Sequence, residues 1–117
     1  MQKIEVLKKR KDFIRVAKGA KCSFPGIFVM AARSLCAEEC PPKVGYTTTK
    51  KIGKANVRNR ARRRMRAAVA EIFPKYAKNN VEYVLVGRWN TGVCPFDILK
   101  RNLKRALQGV AKELENE

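Results

Sequence analysis

Residues 44–74 read VGYTTTKKIGKANVRNRARRRMRAAVAEIFP, a strand pattern followed by a helix pattern. Over 44–49 the residues alternate. Val44, Tyr46 and Thr48 fall on one face, and Gly45, Thr47 and Thr49 on the other, which predicts a strand. Gly53 breaks that pattern. Between Lys54 and Phe73, the residues Val57, Ala61, Met65, Ala68 and Ile72 recur at steps of three and four, which predicts a helix with one apolar stripe. Pro74 is expected to end that helix.

The helix carries an unusual charge. Nine of the 17 residues in 50–66 are Lys or Arg, and none is acidic. The helical wheel puts Asn59, Arg62, Arg63 and Arg66 opposite the stripe, with Arg58, Arg60 and Arg64 flanking it. Arg58–Arg62, Arg60–Arg64 and Arg62–Arg66 are like-charge i, i+4 pairs, each costing a few tenths of a kcal/mol. A merely solvated helix intersperses glutamates here. The arginine fork suits phosphate and stacks on bases, so this face predicts nucleic-acid contact. Pro74 arrives before any heptad series, which excludes a leucine-zipper basic region. A membrane-surface helix needs bulky Leu or Trp on its apolar face, whereas this stripe is mostly Ala, Val and Met.

The rest of the chain agrees with a folded, basic protein. Its 117 residues suit one domain, 1–117. Net charge is +17, with 27 Lys+Arg against 10 Asp+Glu, and there is no histidine. That excludes Ser/His and Cys/His catalysis and His-ligated metal. Leu, Ile, Val and Phe make up 29 of 117 residues, enough for a core. A polyanionic partner accounts for the imbalance. No apolar run is long enough to span a membrane, and the basic start lacks the apolar segment of a secretory signal. Cys22, Cys36, Cys40 and Cys94 lack paired zinc spacing and are expected as reduced thiols in a cytoplasmic protein. No cluster of carboxylates supplies a catalytic or metal site.

Around the central stretch, Asp12, Phe13, Val16 and Ala17 predict a short helix stopped by Gly19. Residues 26–32 and 81–87 predict strands, and 34–42 and 88–95 loops. The strands over 26–32 and 44–49 are expected to pair antiparallel. A last helix starts at Pro95, with Phe96, Leu99, Leu103, Leu107, Val110 and Leu114 on its stripe. Residues 113–117 are expected to fray. The order helix, strand, strand, helix, strand, helix reads as α+β, with helices packed on a small sheet.

Over about residues 7–108 these motifs resemble the bacterial ribonuclease P protein subunit. The resemblance rests on Thr49-Lys50-Lys51-Ile52-Gly53-Lys54-Ala55, then Arg58-Asn59-Arg60, Arg62-Arg63 and Arg66. Asp12-Phe13, Phe28-Val29, Val44-Gly45-Tyr46 and the run from Tyr83 to Arg88 follow in the family's order. The resemblance implies a two-layer α/β sandwich, a small, mainly antiparallel sheet and a left-handed crossover at the basic helix. It implies a subunit that assists a catalytic RNA in the endonucleolytic removal of the 5′ leader from precursor tRNA. Magnesium would be bound mainly by the RNA, and the protein would be monomeric within the ribonucleoprotein.

By the same resemblance, Lys50, Lys51, Lys54, Arg58, Asn59, Arg60, Arg62, Arg63 and Arg66 are candidates for binding the RNA subunit. Phe13, Thr47, Thr49, Arg58, Asn59, Arg62 and Arg88 are candidates for the leader, in a cleft between the first helix and one sheet face. Ala17 and Ala31 stand where the family often has aromatics, which is expected to thin that cleft's lining. Trp89 offers a ring beside Arg88. The rival readings are a ribosomal or general RNA-binding protein, against which the long signature argues, and a protein nuclease, for which the carboxylates are lacking.

Overall fold

The computed structural model describes residues 4–36 and 38–116. The elements are β1 (Glu5–Val6), α1 (Arg10–Val16), β2 (Ala20–Phe24), β3 (Ile27–Arg33), β4 (Lys43–Thr47), α2 (Ala55–Tyr76), β5 (Val81–Gly87) and α3 (Phe96–Glu115). A short 3-10 turn, Lys50–Ile52, joins β4 to α2. The fold is α+β, as expected, on a mixed sheet ordered β1-β4-β5-β3-β2.

Strand β5 takes the centre because it is apolar on both sides. Val81, Tyr83 and Leu85 are buried on one face and Val84 on the other. It runs antiparallel to β3, with Val29 opposite Leu85, and parallel to β4, with Gly45 opposite Val84. The expected direct pairing of the strands over 26–32 and 44–49 is therefore wrong: β5 inserts between them. Parallel neighbours need a long crossover, which α2 supplies.

Two strands escaped the sequence reading. β2 pairs with β3 through a two-residue Pro25–Gly26 turn. Its apolar residues Ala20, Cys22 and Phe24 do alternate, but over only five residues between breakers. β1 is two residues long and parallel to β4.

One sheet face is covered by α2 and α3. Ala20, Ile27, Val29, Ala31, Val44, Tyr83 and Leu85 meet Met65, Phe73, Leu99, Leu103 and Leu107 there. The buried stripe of α2 is Ala61, Met65, Ala68, Val69 and Phe73. The expected Val57 is instead exposed, because the start of α2 stands clear of the core. Ile72 is only half-buried. Pro74 does not end α2 but sits in its last turn, near Tyr76. Ala70 and Pro74 are both exposed, so the carbonyl that loses its amide partner is on the solvent side.

In α3, Gly109 lets β2 approach: a Cβ there would lie 2.7 Å from the Cys22 sulfur. Asn102 is also buried on α3 and donates to the Pro25 carbonyl at 2.8 Å. The expected fraying from residue 113 is not observed through Glu115. Leu114 is buried, Arg33 donates to its carbonyl, and Glu113 accepts from the Lys21 amide. Glu117 lies outside the described residues.

The loop over 34–42 is pinned by Asn80, which adopts a left-handed φ of 63°. Its amide donates to the Cys40 carbonyl, its side-chain oxygen accepts from the Cys40 amide, and its carbonyl accepts from the Ser34 amide. Cys36 and Cys40 form a disulfide, where reduced thiols were expected. The folded-back loop brings their Cα atoms within 6.9 Å. Cys22 and Cys94 are free.

The other sheet face is partly covered by α1. Val16, Leu7 and Val84 form a second small core, with Phe13, Met30, Ala32 and Val86 packed against it. An ion pair locks α1 down. Arg15 pairs with Glu82, which is 4% exposed and also accepts from the Ser34 hydroxyl at 3.0 Å. Glu82→Ala leaves the Arg15 guanidinium with only the more distant Asp12 carboxylate, at 3.9 Å. Because Arg15 is partly solvated, the expected loss is about 2 kcal/mol, less than for a fully buried pair. Denaturant unfolding measures it.

Burial pushes the Tyr83 phenol up to about 12, opposed by the Lys78 amide that donates to its oxygen. The native state thus holds this proton more tightly than the unfolded chain does. The contribution is complete below about pH 10 and is lost as pH rises toward 12. Stability should fall less steeply over that range in Tyr83→Phe, as read by denaturation at a series of pH values.

Candidate nucleic-acid interface

The first half of α2 has no acid in its opening turn and no side-chain cap. Lys50, Lys51, Lys54, Asn59, Arg60, Arg63 and Arg66 are all exposed, while Arg58 and Arg62 are half-buried. The expected basic surface is therefore present, but its arginines divide into two groups. Arg60 donates from Nε to the Gly92 carbonyl at 2.8 Å. Arg64 donates from Nε to the Thr91 carbonyl at 2.9 Å and from Nη2 to the Cys94 carbonyl. These two arginines tie α2 to the loop over 88–95. Arg66 stands over the Tyr46 ring at 5.4 Å, and Arg62 donates to the Asn59 side chain at 3.3 Å. Nε of Arg58 is enclosed without a hydrogen-bond partner.

The second part of the surface is the sheet face that α1 leaves half-covered. Phe28, Met30, Val86 and Thr47 are half-buried on it. Phe13 closes one side. Its ring lies so near Gly45 that a Cβ there would be 2.5 Å from Cζ. Glycine at this position is what lets the α1 aromatic lie against the sheet. At the other side, the Arg88 guanidinium stands over the Phe28 ring at 4.9 Å and its Nη2 lies 3.5 Å from the Ser23 hydroxyl. A cation over an aromatic beside an open apolar floor offers both a phosphate contact and a stacking surface.

Of the expected leader residues, the structure brings Phe13, Thr47 and Arg88 to this one face. Thr49 lies beyond the end of β4, exposed at the start of the 3-10 turn, so the period-two argument stops before it. Arg58, Asn59 and Arg62 belong to the first turns of α2 instead. Ala31 is a correction: it is fully buried on the opposite face, under α3, and has no part in the lining. Residues 28, 30 and 32 are the β3 positions that face α1. Ala17 follows α1 as its C-terminal cap. The floor residues Phe28, Met30 and Val86 were missed. Period two along β3 and β5 was the available signal, but it needs to be known which face each helix covers. The Arg60 and Arg64 clamps were also missed, since their acceptors are backbone carbonyls about thirty residues away.

Among the described residues, no group of three or more His, Cys, Asp or Glu side chains is placed to hold a metal ion. No described helix is long and apolar enough to cross a membrane.

Fold and surface together define a class: a small basic α+β protein with an arginine-rich crossover helix beside a half-open sheet face. The family model for Ribonuclease P matches residues 1–111. The chain is 42% identical to the ribonuclease P protein component of Paramagnetospirillum magneticum, over 92% of this chain and 84% of that one. It is 39% identical to that of Ruegeria pomeroyi, over 90% and 85%. Among solved structures, the Staphylococcus aureus RNase P protein superposes with a TM-score of 0.73 at 20% identity, covering 96% of this chain and 99% of that one. The Thermotoga maritima protein gives 0.70 at 20%, covering 86% and 96%. The chain belongs to the ribonuclease P protein family, the protein components of the ribonucleoprotein endoribonuclease that processes the 5′ end of tRNA.

The two groups of arginines are separable by mutation. Arg64→Ala removes charged hydrogen bonds to two carbonyls and should cost about 2 kcal/mol of stability. Lys51→Ala, Lys54→Ala and Arg63→Ala together should leave the melting temperature nearly unchanged and weaken RNA binding. Thermal melts and RNA titrations of both variants check this.

Proposed function

We propose that the chain serves ribonuclease P by binding its RNA subunit through the start of α2 and the single-stranded leader of precursor tRNA on the open sheet face. One observation carries this reading above the others: an acid-free run of cations leads into a helix anchored from within, and the sheet beside it has one face half-uncovered. Lys50, Lys51, Lys54, Arg58, Asn59, Arg60, Arg62, Arg63 and Arg66 meet the RNA subunit, chiefly at its phosphates. The leader lies between α1 and the sheet, against Phe13 and Thr47, with Arg88 at one side. Thr49, Arg58, Asn59 and Arg62 border its path toward α2.

Chemistry stays with the RNA and the magnesium it binds. The protein lowers the repulsion between phosphates and so favours both the bound metal and the docked substrate. It acts as a monomer within the ribonucleoprotein, in the cytoplasm and away from membranes.

Cleavage of precursor tRNA at low magnesium tests the reading. Ribonuclease P RNA with this protein should cut at the mature 5′ end, faster than the RNA alone, and the protein alone should not cut. Stimulation absent with RNA subunits from the relatives above would overturn it and leave a general RNA-binding protein. Affinity for the RNA should fall by about 10²–10⁴ between 50 and 200 mM salt if roughly six to nine phosphates are met. A flat response would remove the role of the basic helix.

A further inference from the structure

Trp89 is 73% exposed, an unusual position for the largest apolar side chain in the protein. It is also the only tryptophan in the chain. The loop that carries it is held firmly. Thr91, fully buried, accepts from the Arg88 amide at 2.7 Å and donates to the Gly26 carbonyl at 2.5 Å. Arg60 and Arg64 clamp the Gly92, Thr91 and Cys94 carbonyls from α2. The exposure of Trp89 is thus built into an ordered loop, and a ring displayed in this way loses little freedom on binding.

A recess of about 360 Å³ lies beside it, lined by Ser23, Phe24, Pro25, Gly26, Arg88, Trp89 and Asn90. Ser23 and Arg88 also belong to the open sheet face, where Arg88 stands over Phe28. The recess therefore continues the cleft past its Arg88 side. A chain crossing the sheet by Phe28 would next meet one cation, Arg88, and one flat aromatic, Trp89. That pair matches a phosphate and the base attached to it. Net charge and the neighbouring cations of α2 favour a polyanion over an apolar peptide.

We propose that Trp89 is a stacking platform for an unpaired base of the single-stranded leader, in a subsite beyond the Phe13–Phe28 cleft, with Arg88 contacting the adjoining phosphate. This deepens the reading above and rests on it.

The single tryptophan provides the test. A short oligouridylate with a fluorescent end label is titrated into the full chain, and label anisotropy and tryptophan emission are followed together. Emission should be quenched with the same midpoint as the anisotropy change. Trp89→Ala should weaken oligonucleotide binding about tenfold, and Trp89→Phe should restore most of it, as stacking predicts. Circular dichroism should show both variants folded, since the ring is on the surface. Wild-type affinity in Trp89→Ala, with emission unmoved at saturation, would overturn the platform and leave leader binding intact. Quenching by ribonuclease P RNA but not by the oligonucleotide would also overturn it, assigning the ring to the RNA subunit. No anisotropy change at all would instead remove the leader-binding reading on which the platform rests.

Discussion

Strand β5 buries Tyr83 and Leu85 on one face and Val84 on the other, so it is stable only where both faces are covered. Much of the architecture follows from that requirement. β5 must be central, which separates β3 from β4. Its parallel partner β4 must be joined to it by a crossover, and the crossover is α2. Two long helices cover one face, and the other is left to the seven residues of α1. So short a helix covers only part of a five-stranded sheet. The part it leaves half-covered is floored by Phe28, Met30 and Val86.

The crossover helix has to be stable despite its own charge. Like-charge neighbours along its surface repel, and +17 on the whole chain adds to the strain. The opposing terms are a buried apolar stripe that ends on Phe73 and hydrogen bonds from arginine to backbone carbonyls. Arg64 donates to two backbone carbonyls, and Arg60 donates to a third from Nε while the residue stays exposed. Arg66 shares its charge with the Tyr46 ring. The cations that remain free, among them Lys51, Lys54 and Arg63, can face a phosphate backbone without loss of the fold. The same clamps order the loop that displays Trp89, so one set of arginines organises both the helix and that loop.

How much could be read in advance depended on the range of each interaction. The span of β5, the start of α3 and most of the α2 stripe were legible from local periodicity. β2 was not, because five residues between Gly19 and Pro25 give too short an alternation. Pro74 misled because a proline in the last turn removes one amide that a solvent-facing carbonyl can do without. Ala31 was assigned to the cleft when it belongs to the core, since period two fixes which residues share a face but not which face looks at which helix. The Cys36–Cys40 disulfide depends on the fold of the loop around Asn80, which spacing alone does not convey.

By itself the sequence determined the class of fold, the basic helix and the family, because helix periodicity, acid-free charge and a contiguous signature are local properties of the chain. The tertiary structure decided which strands are neighbours, which arginines are structural and which residues floor the cleft. Each of those depends on contacts between residues tens of positions apart. Their partners are backbone carbonyls and the faces of distant strands, groups that every sequence contains and that only packing selects.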